Sequence, residues 1–151
     1  MKKITPFLWF DHQAEEAMNF YISIFKNSKI LNVSSGPNGV ASSVNFELEG
    51  QEFLAFNAGP HFKFNEAVSF FVDCQTQEEV DDLWAKLSAG GEEGQCGWAK
   101  DRYGLWWQIV PSALGELLGD PDPVKAQKVM QAMLTMKKII IADLKQAYAG
   151  G

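Results

Sequence analysis

A short segment that occurs once in each half of the chain constrains the fold more than any other sequence feature. Phe10–Glu16 (FDHQAEE) resembles Val72–Glu79 (VDCQTQEE) with one insertion, and each copy follows an apolar, aromatic run and opens an amphipathic helix. Gly50 and Gly104 mark corresponding turns before the last strand-like run of each half. A repeat of this kind predicts two similar modules related by a pseudo-twofold axis.

The first half predicts one helix among four strands. An apolar strand at 4–10 is followed by a helix whose apolar stripe extends from Ala14 to Phe25, with Asp11 at its start as N-cap or first-turn acid. Turn-forming residues then separate three more strand-like runs, over 29–35, 41–49 and 52–57. The predicted order is β-α-β-β-β.

The second half begins the same order again. A strand at 67–73 precedes a helix that starts at a capping box formed by Thr76 and Glu79. Strands are predicted at 93–100 and 105–110, and a further strand stays open.

The remaining residues predict helices. Ser112 is placed to cap a short helix that ends near Gly119, the segment Asp120–Pro123 opens a second helix, and 138–148 predicts a third. Their methionine and isoleucine stripe is typical of core or dimer packing. We therefore expect one α+β structural domain made of two pseudo-symmetric modules and a helical extension, with boundaries at 1–60, 61–112 and 113–151.

Composition and charge narrow the class of partner. With 151 residues, of which 46% are hydrophobic, the chain can bury a core without a disulfide or a metal. Lys and Arg number 13 against 19 Asp and Glu, and the net charge of -6 argues against the basic face that nucleic-acid binding requires. The first residues, MKKITPF, lack the apolar stretch of a signal peptide, and no run approaches the length of a membrane span. We expect a cytoplasmic protein with neither a nucleic-acid nor a membrane partner.

Four strings that cover nearly the whole chain carry a family resemblance: ITPFLWFDHQAEEAMNFY, FNEAVSFFVDC, GQCGWAKDRYGLWWQIVPSALGELL and GDPDPVKAQKVMQAM. Together with the repeated module, they resemble the PhnB-like branch of the vicinal oxygen chelate superfamily. That superfamily includes glyoxalase I, bleomycin-resistance proteins and extradiol dioxygenases, and the branch is labelled a demethylubiquinone methyltransferase domain. The resemblance implies that the two modules form a glyoxalase-like cup around a small-molecule ligand, and that the protein is a homodimer.

Strand alternation indicates which side chains face the implied cup. In the repeat, Thr5, Phe7 and Trp9 correspond to Ala67, Ser69 and Phe71, while their neighbours in sequence are apolar and suit a helix-covered face. For the last strand of each module, Gly50 and Gly104 set a register that matches Leu54 with Gln108. An apolar wall with a few polar groups is typical of small-molecule sites. The predicted ligand-binding residues are Phe7, Trp9, Phe56, Ser69, Phe71, Trp106 and Gln108.

The resemblance also implies where a metal would lie. Metal-dependent members of the superfamily use His and Glu from four equivalent strand positions, which correspond here to Thr5, Leu54 (or Phe53 if the register slips by one), Ala67 and Gln108. None of these is His, Glu or Asp, and one amide with one hydroxyl would hold a divalent ion poorly. We expect no metal there and no other cofactor. His12, near Asp11, and His61, in a glycine- and proline-containing loop, are the other imidazoles; we interpret both as surface groups, with a metal-ligand role for His12 or a base role for His61 as alternatives.

Catalysis stays open. Cys74 and Cys96 have no neighbouring base or cation in the sequence, so we interpret both as small buried residues rather than nucleophiles. The glycine-rich segments do not join a strand to a following helix, which a Rossmann-type methyl-donor site requires. The leading hypothesis is a metal-free protein that binds a small, partly apolar or aromatic molecule. The alternatives are a metal-dependent isomerase, lyase or dioxygenase, a methyltransferase as in the family label, and a protein that sequesters a ligand without turnover.

Overall fold

A computed structural model describes residues 1–39 and 41–150. The chain divides into two compact units, Met1–Lys63 and Phe64–Gly151. Among the described residues, no helix combines the length and the apolar character needed to cross a membrane.

The first unit is one four-stranded sheet covered by a helix on one face. Its elements are β1 (Phe7–Phe10), α1 (Ala14–Ile24), β2 (Ser28–Ser35), β3 (Ala41–Leu48) and β4 (Gln51–Asn57). The strand order is β1-β4-β3-β2, in which β1 runs parallel to β4 and the other pairs are antiparallel. The apolar stripe of α1, including Met18 and Tyr21, is buried above Phe46 and Phe53. We call the opposite side the open face of the first sheet.

The second unit begins with the same arrangement. Its first elements are β5 (Ser69–Cys74), α2 (Gln77–Ser88), β6 (Glu92–Glu93), β7 (Trp98–Lys100) and β8 (Trp106–Pro111). The strand order is β5-β8-β7-β6, with β5 parallel to β8. Val80, Leu83, Trp84 and Leu87 of α2 are buried against one side of the sheet. We call the other side the open face of the second sheet.

Three helices form the C-terminal extension: α3 (Ser112–Leu118), α4 (Pro123–Leu134) and α5 (Ile141–Tyr148). A cluster of buried apolar side chains joins them to the end of β8, namely Val110, Leu114, Val129, Ile139 and Leu144. The predicted α+β class, with two βαβββ modules and a helical extension, is therefore confirmed. The further strand that stayed open is the two-residue β6.

Several predicted element boundaries are wrong. β1 begins at Phe7 rather than at position 4, because the preceding residues form a local turn in which Thr5 Oγ1 donates to the carbonyl oxygen of Lys2 at 3.0 Å. β5 begins at Ser69 rather than at position 67. The strand predicted over 93–100 is split between β6 and β7, because the backbone N–H groups of Cys96 and Gly97 donate to Met136 and Lys137 of the extension.

Some of the predicted helix caps are confirmed and others are wrong. Thr76 caps α2 as predicted by accepting from the backbone N–H of Glu79, and Asp122 caps α4. Asp11 does not cap α1; the first backbone N–H of that helix instead donates to Asn57 Oδ1 at 2.9 Å. Ser112 is the first residue of α3 but makes no cap. Its hydroxyl donates to Asp73 at 2.8 Å, which ties α3 to β5.

Candidate functional site

Three of the predicted ligand-binding residues lie together on the open face of the first sheet. Phe7 and Trp9 of β1 pair with Leu54 and Phe56 of β4 in a parallel register. The Phe56 ring is 4.7 Å from Phe7 and 5.1 Å from Trp9, both edge-to-face, a preferred geometry for aromatic pairs. Phe7 remains 56% exposed. This face therefore presents a small aromatic surface to solvent.

The loop after β4 extends this aromatic cluster. The Trp9 indole N–H donates to the carbonyl oxygen of Gly59 at 2.9 Å, which fixes the ring in place. Phe62 packs edge-to-face on Trp9 at 4.8 Å, and the His61 ring lies 6.4 Å from it. His61 is exposed, in agreement with its interpretation as a surface group.

The other four predicted residues lie together on the open face of the second sheet. Ser69 pairs with Trp106, and Phe71 pairs with Gln108, along the parallel β5–β8 ladder. Gln108 Nε2 donates to Ser69 Oγ at 3.0 Å, so the amide is held against the sheet. The Trp106 ring lies 6.1 Å from that of Trp98 on β7.

A cavity of about 550 Å³ opens on this second face. Phe71 and Gln108 line it, and so does Trp98, which the sequence did not single out. The facing wall comes from α3 and α4 through Leu114, Leu118 and Met133. Ser69 and Trp106 occupy the next pair along the ladder and do not line the cavity. Its volume lies within the range that is usual for small-molecule sites.

The polar part of the cavity is built around Asp73. Ser112 Oγ donates to one carboxylate oxygen of Asp73 at 2.8 Å, and Gln75 Nε2 donates to the other at 3.1 Å. Gln75 Nε2 also lies 3.1 Å from Ser112 Oγ, which closes a three-residue network. Cys96 and Glu116 complete the polar lining.

The two strand ladders correct the register that was based on the glycine turns. Phe7 pairs with Leu54, whereas the corresponding Ser69 pairs with Trp106. Leu54 therefore corresponds to Trp106, and Phe56 to Gln108. The predicted match of Leu54 with Gln108 is wrong by two residues, because Leu54 is the fourth residue after Gly50, whereas Trp106 is only the second after Gly104. The corrected position still offers no metal donor, since Phe56 is aromatic.

The donor groups present do not fit a divalent ion. Within residues 1–39 and 41–150, no three His, Cys, Asp or Glu side chains come together as a metal-binding group. Glu52 is a buried carboxylate at the start of β4, and the backbone N–H of Lys2 donates to it at 3.0 Å. That bond, with a second from the Asn45 side chain, holds the pKa of Glu52 below its ordinary value. Glu52 is thus already engaged by protein donors.

The two cysteines differ in environment. Cys74, the last residue of β5, is fully buried. Burial, with smaller contributions from Glu79 and Asp73, raises its pKa to about 12. Cys96 is partly exposed and lines the cavity, with a backbone φ of 58°. The interpretation as small buried residues is therefore correct for Cys74 and wrong for Cys96. The reason is the extension, which draws the Cys96 backbone out of the strand.

The site residues that the sequence missed depend on the hairpin and on the extension. Trp98 pairs with Gln108 across the β7–β8 hairpin and therefore lies on the same face, which lines the cavity. Strand alternation, counted back from Gln108 through the turn at 101–104, could have identified Trp98 from the sequence. Asp73 lies on the same strand face as Phe71, so alternation along β5 also pointed to it. No local pattern in the sequence places Glu116 or Met133 opposite this face.

Comparisons with known proteins agree on one family. The sequence model of the family described as 3-demethylubiquinone-9 3-methyltransferase matches residues 2–110. A solved structure described as a PhnB protein from Bacillus cereus is 36% identical, with a TM-score of 0.69, and the match covers 73% of this chain and 99% of that one. No protein with a curated description matches this chain.

Two more distant structures share the fold alone. A protein from Pseudomonas aeruginosa is 15% identical with a TM-score of 0.63, and the match covers 74% of this chain and 98% of that one. The fosfomycin resistance protein FosX from Listeria monocytogenes, solved with Mn(II) and sulfate, is 18% identical with a TM-score of 0.51, over 71% of this chain and 90% of that one.

Proposed function

Because the chain belongs to the 3-demethylubiquinone-9 3-methyltransferase, or PhnB-like, family of the vicinal oxygen chelate superfamily, we propose that it binds a small, partly apolar or aromatic organic molecule without a metal or other cofactor. The observation that carries this proposal is the cavity of about 550 Å³ on the open face of the second sheet. Its aromatic rings would stack on the ligand, and Gln108 would orient it through a hydrogen bond.

Exposure of the aromatic rings supports the same proposal. Phe71 is 61% exposed beside the cavity, and Phe7 is similarly exposed on the first sheet. Large exposed apolar groups that cluster at a concave surface commonly mark a binding site. Of the residues predicted from sequence, we propose Phe71 and Gln108, together with Trp98, as the ligand contacts within the cavity. Ser69 and Trp106, on the next pair of the same ladder, and Phe7, Trp9 and Phe56, on the first sheet, stay predicted contacts.

Methyl transfer, which the family description names, is not part of this proposal. In Rossmann-type folds the methyl donor binds at a glycine-rich turn between a strand and a helix. In the described part of the chain, β1 joins α1 through 11–13 and β5 joins α2 through 75–76, and neither connection contains a glycine. The proposed activity is binding, and no reaction is assigned to it.

A ligand screen with matched variants tests the proposal. Small aromatic and aliphatic molecules would be screened for those that raise the Tm of the purified protein. For such a molecule we expect Phe71→Ala and Trp98→Ala, which truncate two aromatic rings of the cavity lining, to weaken binding by about tenfold, since buried aromatic contacts dominate small interfaces. Val124→Ala is the control, because Val124 is 60% exposed on α4 but does not line the cavity.

The outcomes separate the parts of the proposal. Unchanged binding in Phe71→Ala would place the site elsewhere. A parallel loss of binding in Trp9→Ala would show that one ligand contacts both modules, as the sequence predicts. The metal content of untagged protein purified without chelator tests the metal-free part, and about one ion per chain would overturn it.

We propose two further properties. The first is homodimerisation, which is supported by a long exposed edge strand, β2, in which Ile30, Leu31 and Val33 face solvent. The second is a cytoplasmic location, which is supported by the two free cysteines, since such thiols persist in a reducing compartment.

A further inference from the structure

The outer wall of the cavity comes from the part of the chain that lies beyond the family match. The family match ends at residue 110, whereas α3 and α4 begin at Ser112 and Pro123. These helices contribute Leu114, Gly115, Glu116, Leu118 and Met133 to the lining. The extension therefore limits the size of the pocket and contributes one of its charged side chains, Glu116, while the sheet supplies the floor.

Long-range contacts hold this wall in place. Gln77 at the start of α2 donates to the carbonyl oxygen of Ile139 at 3.0 Å and accepts from the backbone N–H of Ile141 at 2.7 Å. Gly97 has a φ of 86°, which favours glycine, and a Cβ there would also lie 3.0 Å from the carbonyl oxygen of Ile109. These contacts hold the segment between α4 and α5 on the second sheet, and the buried cluster that includes Leu114 and Val129 joins α3 and α4 to that segment.

The charged side chains that line the cavity are acidic. Asp73 lies on the sheet side and Glu116 on the helix side, and among the described residues that line the cavity none is Lys, Arg or His. The Asp73 carboxylate is oriented by neutral donors, Ser112 and Gln75, rather than neutralised by a cation. The ring of Trp98 adds a surface that attracts cations. The pocket thus repels anions and favours positive charge.

We propose that this pocket selects organic cations, namely amines with an aromatic or apolar body, and that the C-terminal extension makes the selection. The inference rests on the proposed small-molecule function of the same face and names the ligand class. The apolar body would lie against Phe71 and Leu114, and the ammonium group would lie between the two carboxylates.

Three compounds that share an indole body and differ in the charge of the terminal group test this selection: tryptamine, a cation, tryptophol, which is neutral, and indole-3-acetate, an anion. Cys96 lines the cavity and is partly exposed, so occupancy of the pocket should slow its alkylation by the neutral reagent iodoacetamide. Buried Cys74 serves as the internal control for unfolding. Peptide mass spectrometry reports the two thiols separately.

We expect tryptamine to protect Cys96 at concentrations about threefold or more below those of tryptophol, and indole-3-acetate to protect least. High salt should reduce the advantage of tryptamine, because screening weakens partly exposed charge pairs. Equal protection by the anion and the cation would overturn the proposal.

Two variant pairs locate the effect. Glu116→Gln should remove much of the tryptamine advantage without changing tryptophol, whereas Glu78→Gln, an equal charge change on α2 at the other side of the sheet, should change neither. Gly115→Phe should fill the cavity and abolish protection, since a Cβ at Gly115 meets no atom within 4 Å, while Gly115→Ala should preserve it. Retained protection in Gly115→Phe would show that α3 is not the wall, and circular dichroism checks that the variant folds.

The test distinguishes failure of the selection from failure of the proposed function. If a screened ligand loses its stabilising effect in Phe71→Ala but no indole protects Cys96, the binding face stands and cation selection is wrong. If no molecule of any charge raises the Tm or protects Cys96, both proposals fail.

Discussion

Asp101 organises the turn between β7 and β8 more than any other single residue. Its side chain is 1% exposed, and one carboxylate oxygen accepts from the backbone N–H groups of Tyr103 at 2.8 Å and Leu105 at 3.1 Å. The other oxygen accepts from the Trp107 indole N–H at 2.9 Å. A buried carboxylate with this many donors fixes the hairpin that brings Trp98 opposite Gln108.

Asp101→Asn should destabilise the protein by about 2 kcal/mol, because the new amide group must direct an N–H at a backbone or indole donor and the charge-assisted bonds are lost. The corresponding decrease in Tm is about 4 to 8 °C for a chain of this size. Chemical denaturation of Asp101→Asn, Trp107→Phe and the double variant measures the coupling. Additive effects in that cycle would show that the indole bond contributes nothing of its own.

The different environments of the two cysteines predict that alkylation of the native protein is selective for one of them. With its pKa raised to about 12, Cys74 is ionised to about one part in ten thousand at pH 8, and it is fully buried as well. We expect iodoacetamide at pH 8 to modify Cys96 in the native protein and Cys74 only after unfolding. Peptide mass spectrometry with and without denaturant checks this expectation, and equal modification of both thiols in the native state would contradict it.

At the scale of elements, the last helix is joined to the α3–α4 connection by one short hydrogen bond. The Tyr148 hydroxyl donates to Asp120 Oδ2 at 2.6 Å. This bond lowers the pKa of Asp120 and raises the pKa of Tyr148. A lowered carboxyl pKa stabilises the folded state above its unfolded pKa of about 4, and the stabilisation is lost as pH falls through the folded value. A raised phenol pKa stabilises below its unfolded value of about 10, and the stabilisation is lost as pH rises through the folded value.

Tyr148→Phe should therefore lower the Tm slightly between about pH 5 and pH 9, and the difference from the wild type should shrink toward both extremes. The variant keeps the ring that Lys125 covers at 4.9 Å, so only the hydroxyl is tested. Thermal melts of both proteins across the pH range are the measurement. A constant difference at all pH values would mean that the bond to Asp120 is not responsible.

Elements whose signals are local could be predicted from the sequence, and elements fixed by distant partners could not. The α2 cap at Thr76 needs only a residue three positions away, and it was predicted correctly. The first backbone N–H of α1 is satisfied by Asn57, which lies 43 residues later in the sequence at the end of β4, so the prediction of Asp11 as the cap was wrong. The break at 94–97 depends on Met136 and Lys137, which lie about forty residues downstream.

At the scale of the whole molecule, the repeat was sufficient to predict the order of elements that the two modules share, a strand, a helix and then further strands. The grouping of Phe71 with Gln108 followed from alternation in the same way. The cavity could not be predicted, because its outer wall depends on where the buried cluster of Val110, Leu114 and Val129 places α3 and α4. That position is a consequence of tertiary packing. The apolar stripe of a helix shows which face is buried, but it does not show which element that face packs against.

Oligomeric state is the remaining property at this scale, and β2 makes it testable. This strand ends the order of the first sheet, so one side of its backbone lacks a strand partner within the described sheet, and Val33 is 38% exposed along it. An exposed edge strand of eight residues with three exposed apolar side chains is one that proteins usually cover, and a second copy of the chain can cover it by extending the sheet. We therefore expect a homodimer in sedimentation velocity, and we expect Val33→Lys to dissociate it, since each copy would bring a charged side chain to the shared edge. Asn38→Lys, which adds the same charge in the neighbouring turn, should leave the dimer intact. A monomeric wild type would refute the dimer itself, whereas a dimer that withstands Val33→Lys would place its interface on another surface.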